Sequence, residues 1–152
     1  MKLGPDRLKV WLEWAGARLM AMPGGKIKPA AERVAWPEFS QDVWEVIDFR
    51  GSMPLRAAAP SAHEIPMVDL ILTLPNVCEW DKTRRILHVR SLIHPINNRY
   101  LYQWTRIGEL LQLDRKTVRA IHARGLREAA SKANPEIVCR ITAFFNEESV
   151  GA

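Results

Sequence analysis

Three basic residues, Arg115, Lys116 and Arg119, stand together within a turn and a half of a segment whose apolar residues have helical spacing. An arginine can donate two parallel hydrogen bonds to O6 and N7 of guanine, and one such contact discriminates between bases by roughly 1–3 kcal/mol. The N-terminal part of a reading helix is where such contacts are made in the major groove of DNA. These residue types at this spacing therefore predict recognition of double-stranded DNA.

The residues that must position these side chains predict a helix-turn-helix over residues 104–130. Val118 and Ile121 follow Gly108 by 10 and 13 residues, the spacing that buries the second helix of such a unit against the first. We expect Gly108 to be the small residue that lets the second helix cross close by. The first helix takes its apolar face from Ile107, Leu110 and Leu111.

The turn between the two predicted helices carries two further expectations. Gln112 stands where a glycine is commonly found, and that position usually needs a left-handed backbone, so glutamine costs about 1 kcal/mol there. Asp114 is expected to be the N-cap of the second helix, with its carboxylate accepting the unpaired amide hydrogens of the first turn.

The predicted DNA contacts fall into two groups. Those on the second helix are Arg115, Lys116, Thr117, Arg119, His122, Ala123 and Arg127. Those that precede it are expected to follow phosphates and are Arg84, Arg85, Arg90, Arg99 and Arg106. The alternative for the whole set is an ordinary helical hairpin with a solvated basic face.

Charge is distributed unevenly along the 152 residues, whose formal net charge is +5. Residues 1–81 carry 9 Lys and Arg against 11 Asp and Glu, whereas residues 82–140 carry 13 against 4. Neutralisation of phosphates supplies much of the affinity of a protein for DNA. A basic segment that follows a mildly acidic N-terminal half therefore favours a surface that binds nucleic acid.

Helical periodicity runs through the chain, and no alternation of apolar and polar residues is long enough to predict a sheet. The expected fold class is all-α, with about six or seven helices. We divide the chain into a helical N-terminal module over residues 1–80, for packing or partner binding, and a DNA-binding domain over residues 81–148.

The first helices of the N-terminal module are predicted from the positions of prolines and from apolar stripes. Pro5 opens a first helix whose apolar stripe runs from Leu8 to Met22, and a second helix is expected from about Pro37 to Phe49 after a linker at 26–35. Core packing is the interpretation of four tryptophans of this half, Trp11, Trp14, Trp36 and Trp44.

Two more helices are expected before the helix-turn-helix. Ser61 and Glu64 have the spacing of a capping box, which predicts the start of a third helix. Asp81 is expected to be the N-cap of a fourth helix, which the His94-Pro95 step would end.

Several classes of protein are disfavoured by what the chain lacks. No run of about 18 apolar residues predicts a membrane span, and charges interrupt the apolar residues at the N-terminus, unlike in a secretion signal. Cys78 and Cys139 lie far apart without a CxxC pair, so we expect buried, reduced thiols and a cytoplasmic protein.

Catalytic and metal-binding patterns are also lacking. There is no Gly-rich phosphate loop, nucleophile elbow or pair of catalytic carboxylates, so we expect neither enzyme activity nor a cofactor. The histidines lack metal-ligand spacing, and we expect surface or cap positions for His63, His88, His94 and His122.

The segment DRKTVRAIHARGLREAA (114–130) resembles the second helix of region 4 of bacterial sigma factors, which share a basic pair, a Val/Ile–Arg step and an R-x-L-R ending. The fuller layout, with its Trp36-Pro37 step, is similar to small phage- and prophage-encoded proteins. This resemblance implies that Arg115, Lys116 and Arg119 contact DNA and that RNA polymerase is a partner. Ala120 replaces a polar base reader of the family, so the promoter preference of sigma factors is not carried over.

The function that these observations favour is a sequence-specific DNA-binding transcription regulator of phage or prophage type. One alternative is a DNA-packaging recognition protein, of the kind called a terminase small subunit, which also uses a helix-turn-helix. A second alternative is a protein-interaction adaptor whose basic helix binds an acidic partner.

Overall fold

The computed structural model describes residues 2–22 and 59–151. In these two ranges it is helical, which confirms the all-α prediction for this part of the chain. Its α-helices are α1 (Pro5–Met20), α2 (Ile65–Thr73), α3 (Asp81–Arg90), α4 (Trp104–Leu111), α5 (Arg115–Lys132) and α6 (Pro135–Gly151). The helix predicted at 37–49, with Trp36 and Trp44, and the linker at 26–35 lie outside the described residues.

α1 begins at Pro5 as predicted, because a proline in the first turn removes an N–H that has no partner inside the helix. The predicted apolar stripe is buried and includes Leu8, Trp11, Leu12, Ala15 and Leu19. Gly16 lies in the same stripe, against the carbonyl group of Ser91 just after α3. A Cβ atom at residue 16 would clash with that carbonyl oxygen, so the absence of a side chain lets α1 approach the backbone closely at the point where α3 ends.

The capping box before α2 is only half formed. The backbone N–H of Glu64 donates to Ser61 Oγ at 3.2 Å, as the pattern predicts. The side chain of Glu64 does not return to Ser61; its Oε2 accepts a hydrogen bond from Arg18 Nε of α1 at 3.0 Å. This pair therefore ties α1 to α2 instead of completing the cap. A 3₁₀ turn, Leu74–Val77, follows α2.

The predicted bounds of α3 were wrong at both ends. Trp80 is the N-cap, and Asp81 is the first helical residue. The helix ends at Arg90, before the His94-Pro95 step, because the chain turns at Ser91 and enters a loop closed by an antiparallel bridge between Ile93 and Tyr100. The expected surface or cap position of His88 was also wrong: His88 is 1% exposed, and its Nε2 lies 2.9 Å from the carbonyl oxygen of Leu72.

One contiguous apolar core draws side chains from α1 to α6, and α5 packs against α1, α3 and α4. Trp11 stacks on Phe145 with ring centroids 6.1 Å apart, and Trp14 packs edge-on against Phe144 at 5.7 Å. Core packing is thus confirmed for these two tryptophans. The domain boundary at residue 80 stays a prediction, although α1 shares this core with α5.

Two further expectations can be compared with the described residues. Cys78 is buried but Cys139 is exposed, so the prediction of two buried thiols was wrong for Cys139. No helix among residues 2–22 and 59–151 is long and apolar enough to cross a membrane.

Candidate nucleic-acid interface

A short turn at residues 112–114 joins α4 to α5. Gln112 ends α4 with φ 58° and ψ 44°, and its N–H points to the carbonyl oxygens of Glu109 and Gly108. The left-handed backbone predicted for this residue is therefore confirmed. Asp114 is the N-cap of α5, as predicted, with an extended backbone at φ −78° and ψ 159°.

Two details of this turn differ from the sequence prediction. An ideal Cβ at Gly108 would lie 2.5 Å from the carbonyl oxygen of Leu113, so the turn itself, and not a close crossing of α5, requires a glycine there. The carboxylate of Asp114 caps no amide of α5; its Oδ1 accepts the hydroxyl hydrogen of Thr117. Thr117 is exposed, but its hydroxyl donor is used inside the protein.

The outward side of α5 carries exposed cations with two alanines among them. Successive residues are about 100° apart around a helix. An arc of about 100° on the side away from the core therefore carries Lys116, Arg119, Ala120, Ala123 and Arg127, all of them exposed. Ala123 lies near the centre of this arc and Ala120 at one end of it. Their small side chains allow a partner to approach the α5 backbone closely, within reach of the neighbouring cations.

Two arginines border this arc. Arg115 is exposed in the first turn, about 40° beyond Arg119. Arg124 is exposed at the opposite border, about 40° beyond Ala120. The sequence analysis missed Arg124, although its spacing of four residues from Ala120 was enough to place it on the same side of the helix.

The cations of α5 are unpaired over most of its length. Within the described ranges, the ion pairs involve other cations, and none joins a carboxylate to Arg115, Lys116, Arg119, Arg124 or Arg127. The sequence explains this, since residues 115–127 contain no Asp or Glu. We refer to these five side chains as the α5 cation row.

Three of the five arginines predicted to follow phosphates outside α5 have carboxylate neighbours, namely Arg84, Arg85 and Arg106. Arg84 Nη1 donates to the carbonyl oxygen of Cys78 at 2.7 Å, and Arg84 Nη2 lies 3.3 Å from Asp81 Oδ1. Arg85 Nε lies 2.8 Å from Asp81 Oδ2, and Arg106 Nη1 lies 3.4 Å from Glu109 Oε2. Their charge is partly neutralised by these neighbours, and their phosphate role stays a prediction.

His122 lies apart from the α5 cation row. Its side chain is 9% exposed, and its ring packs edge-on against Trp104 with the centroids 5.0 Å apart. Burial, followed by the nearby charges of Arg90 and Lys9, lowers the pKa of His122 to about 4. The expectation of a surface or cap position was therefore wrong, and the neutral ring is packed into the protein rather than presented with the exposed arc.

Arg90 is also buried, which was not expected of a phosphate contact. Its Cζ atom lies 3.5 Å from the ring centroid of Tyr100 and 4.0 Å from that of Trp104. Its Nη1 donates to the carbonyl oxygen of Tyr102 at 3.0 Å. Tyr100 in turn donates its hydroxyl hydrogen to Glu13 of α1. Arg90 thus joins α3 to the loop before α4, and the prediction that it follows phosphates was wrong.

No family model, curated protein or solved structure matches this chain at a significant level. The resemblance to region 4 of sigma factors thus stays a prediction that rests on the residues quoted for it.

Proposed function

We propose that this protein binds double-stranded DNA in a sequence-specific manner, with α4 and α5 acting as a helix-turn-helix and α5 lying in the major groove. The observation that carries the proposal is the α5 cation row, five exposed cations without ion pairs among the described residues. Like charges held together repel one another, and an anionic partner relieves that repulsion. DNA offers phosphates on both walls of a groove that admits a helix.

The position of each side chain on α5 assigns it a part in this binding. Arg115 and Arg119 stand near the N-terminal end of α5, which enters the groove in helix-turn-helix proteins and meets base edges. The methyl group of Ala123 is exposed at the centre of the arc, where an apolar contact with a thymine methyl group is favourable. Arg127 is 12 residues from Arg115, about 18 Å along the helix axis, and is assigned to a phosphate.

Transcription regulation is the use of this binding that the sequence favours. The resemblance of residues 114–130 to region 4 of sigma factors supports a regulator of phage or prophage type that acts beside RNA polymerase. The exposed cations of α5 support DNA binding independently of that resemblance, because they follow from burial and pairing in the fold alone.

The direct test is selection of bound duplexes from a random-sequence pool with the full chain, followed by titration of the best duplex at several salt concentrations. We expect enrichment of a common motif. If Lys116, Arg124 and Arg127 contact phosphates while Arg115 and Arg119 contact bases, affinity should fall by about 40-fold between about 50 and 200 mM salt, as counterion release requires.

Matched variants identify the surface that binds. Replacement of Lys116, Arg119 and Arg127 by alanine should abolish most of the binding, whereas Lys82→Ala with Arg140→Ala, which removes two cations elsewhere, should change it little. Absence of motif enrichment together with salt-independent binding to an acidic protein would support the adaptor instead. A ring of many subunits on size-exclusion chromatography would favour the DNA-packaging alternative.

A further inference from the structure

The loop between α3 and α4 is held in one conformation by many short-range hydrogen bonds. We call residues 92–101 the Ile96 loop. Its base is closed by His94 N–H to the Arg99 carbonyl oxygen at 2.8 Å and by Leu101 N–H to the Leu92 carbonyl oxygen at 3.1 Å. Asn98 has a left-handed backbone with φ 57°, and its N–H donates to the His94 carbonyl oxygen at 2.9 Å. The loop therefore presents a fixed tip.

The tip combines an apolar side chain with polar and cationic ones. Ile96 is 48% exposed, and Asn97, Asn98 and Arg99 beside it are exposed as well. The backbone N–H of Ile96 donates to Nδ1 of His94 at 3.2 Å, and that of Arg99 donates to Asn97 Oδ1 at 3.0 Å. Ile96 is thus left half exposed beside the hydrogen bonds that hold the tip.

The charge around the tip favours an anionic partner. Residues 92–101 contain no Asp or Glu, and Arg99 at the tip is a cation. Each flanking helix carries one acidic residue, Asp81 in α3 and Glu109 in α4, and both are paired with arginines of their own helix. An exposed Ile close to Arg99 suits a partner that offers apolar surface as well as negative charge. DNA offers both phosphates and the apolar edges of sugars and bases in its minor groove, which proteins occupy with Asn, Arg and Ile side chains.

A continuous set of contacts connects this loop to α5. Tyr100 at the base of the loop stacks on the guanidinium of Arg90, which lies in turn over the ring of Trp104. Trp104 packs against His122 of α5 at 5.0 Å. Three successive contacts therefore join the base of the loop to the buried side of α5. On the exposed side, Arg119 of the α5 cation row lies close enough to Arg90 for their charges to interact, so a partner bound along the row lies near the base of the loop.

We propose that the Ile96 loop is a second DNA-binding element, which enters the minor groove beside the major-groove segment read by α5. Ile96 contacts the sugars and base edges, and Arg99 contacts the phosphates of that groove. This inference rests on the proposed function and adds a contact in a different groove. It predicts that the protein protects more DNA than one helix in the major groove covers.

The test uses the full chain and the best duplex recovered by the random-pool selection. Hydroxyl-radical cleavage, which reports the minor groove, should show a protected patch beside the motif. Ile96→Ser and Arg99→Gln should each lower affinity roughly fivefold, and each should remove that patch while the major-groove guanines stay protected from methylation. For Arg99→Gln the slope of log affinity against log salt should become shallower by about 1.

Ile65→Ser is the matched control, because Ile65 is 39% exposed on α2 and belongs to neither surface. It should bind like the parent protein. If the parent protein binds its duplex but shows no minor-groove patch, or if both loop variants bind like the control, the inference about the loop is overturned while the function of α5 stands. If the parent protein does not bind DNA at all, the proposed function itself fails, and the inference falls with it.

Discussion

The ring of His122 on α5 packs edge-on against the ring of Trp104 on α4, with the centroids 5.0 Å apart and the planes inclined at 74°. This contact places a histidine inside the unit that we propose to bind DNA. Burial and the nearby Arg90 keep the imidazole neutral, since they lower the pKa of His122 to about 4. The packing of α5 against α4 is therefore linked to pH.

The first prediction follows from that pKa. Below the ordinary histidine pKa of 6.5, the unfolded chain binds a proton that the native protein takes up only near pH 4. The free energy of unfolding should thus fall as the pH is lowered from about 6.5 towards 4, with a contribution from His122 on the order of 2–3 kcal/mol. Urea denaturation at several pH values measures this.

The variant for this measurement is His122→Phe, which keeps an aromatic ring against Trp104 but cannot be protonated. At pH 8 the parent and the variant should have similar free energies of unfolding, because the side chain at 122 is then neutral in both. The difference should change in favour of the variant as the pH falls. Part of the pH dependence should remain in both proteins, because burial also lowers the pKa of His88. Parallel pH curves would contradict the prediction.

The second prediction concerns the turn before α5. Gln112 has φ 58°, a backbone that glycine adopts at lower cost than any residue with a Cβ. Gln112→Gly should therefore be neutral or should stabilise the protein by up to about 1 kcal/mol, after the extra entropy of glycine in the unfolded chain is subtracted. Gln103→Gly at the extended N-cap of α4 is a suitable control without a positive φ. A clear loss of stability in Gln112→Gly would refute the left-handed backbone.

The third prediction concerns the contact between α3 and α5. An ideal Cβ at Gly125 would lie 2.5 Å from Thr83 Cγ2 and 3.3 Å from Leu87 Cδ1. Gly125→Ala should lower the free energy of unfolding by about 1–3 kcal/mol, because the overpacking outweighs the gain in helix propensity. Adding Thr83→Ala, which removes the clashing methyl group, should recover much of that loss. Additive effects in this double-mutant cycle would mean that the two residues do not touch.

The fourth prediction separates base reading from phosphate contact within the α5 cation row. Arg115→Ala and Arg119→Ala should each cost about 1–3 kcal/mol on the selected duplex and much less on a scrambled one. Arg127→Ala should weaken binding to both duplexes alike, as a phosphate contact does. Paired titrations with the two duplexes measure these differences. Equal losses on both duplexes for Arg115→Ala and Arg119→Ala would reduce α5 to a phosphate-binding helix.

Several features of the structure can be predicted from the local sequence alone. The spacing of Gly108, Val118 and Ile121 predicted that all three are buried, because a helix period places such residues on one face. Gln112 and Asp114 were placed correctly because a left-handed residue and an N-cap are local requirements of a turn. The lack of acidic residues from 115 to 127 is likewise written in the sequence.

Only the tertiary structure decided which cations are available to a partner. Arg90 and Arg119 are the same residue type, but Arg90 is enclosed by two aromatic rings that come from beyond its own helix, whereas Arg119 is exposed. His122 is buried because α4 brings Trp104 against it, a contact between residues 18 positions apart. A local pattern cannot report burial of this kind, since it depends on which other segments of the chain cover the residue.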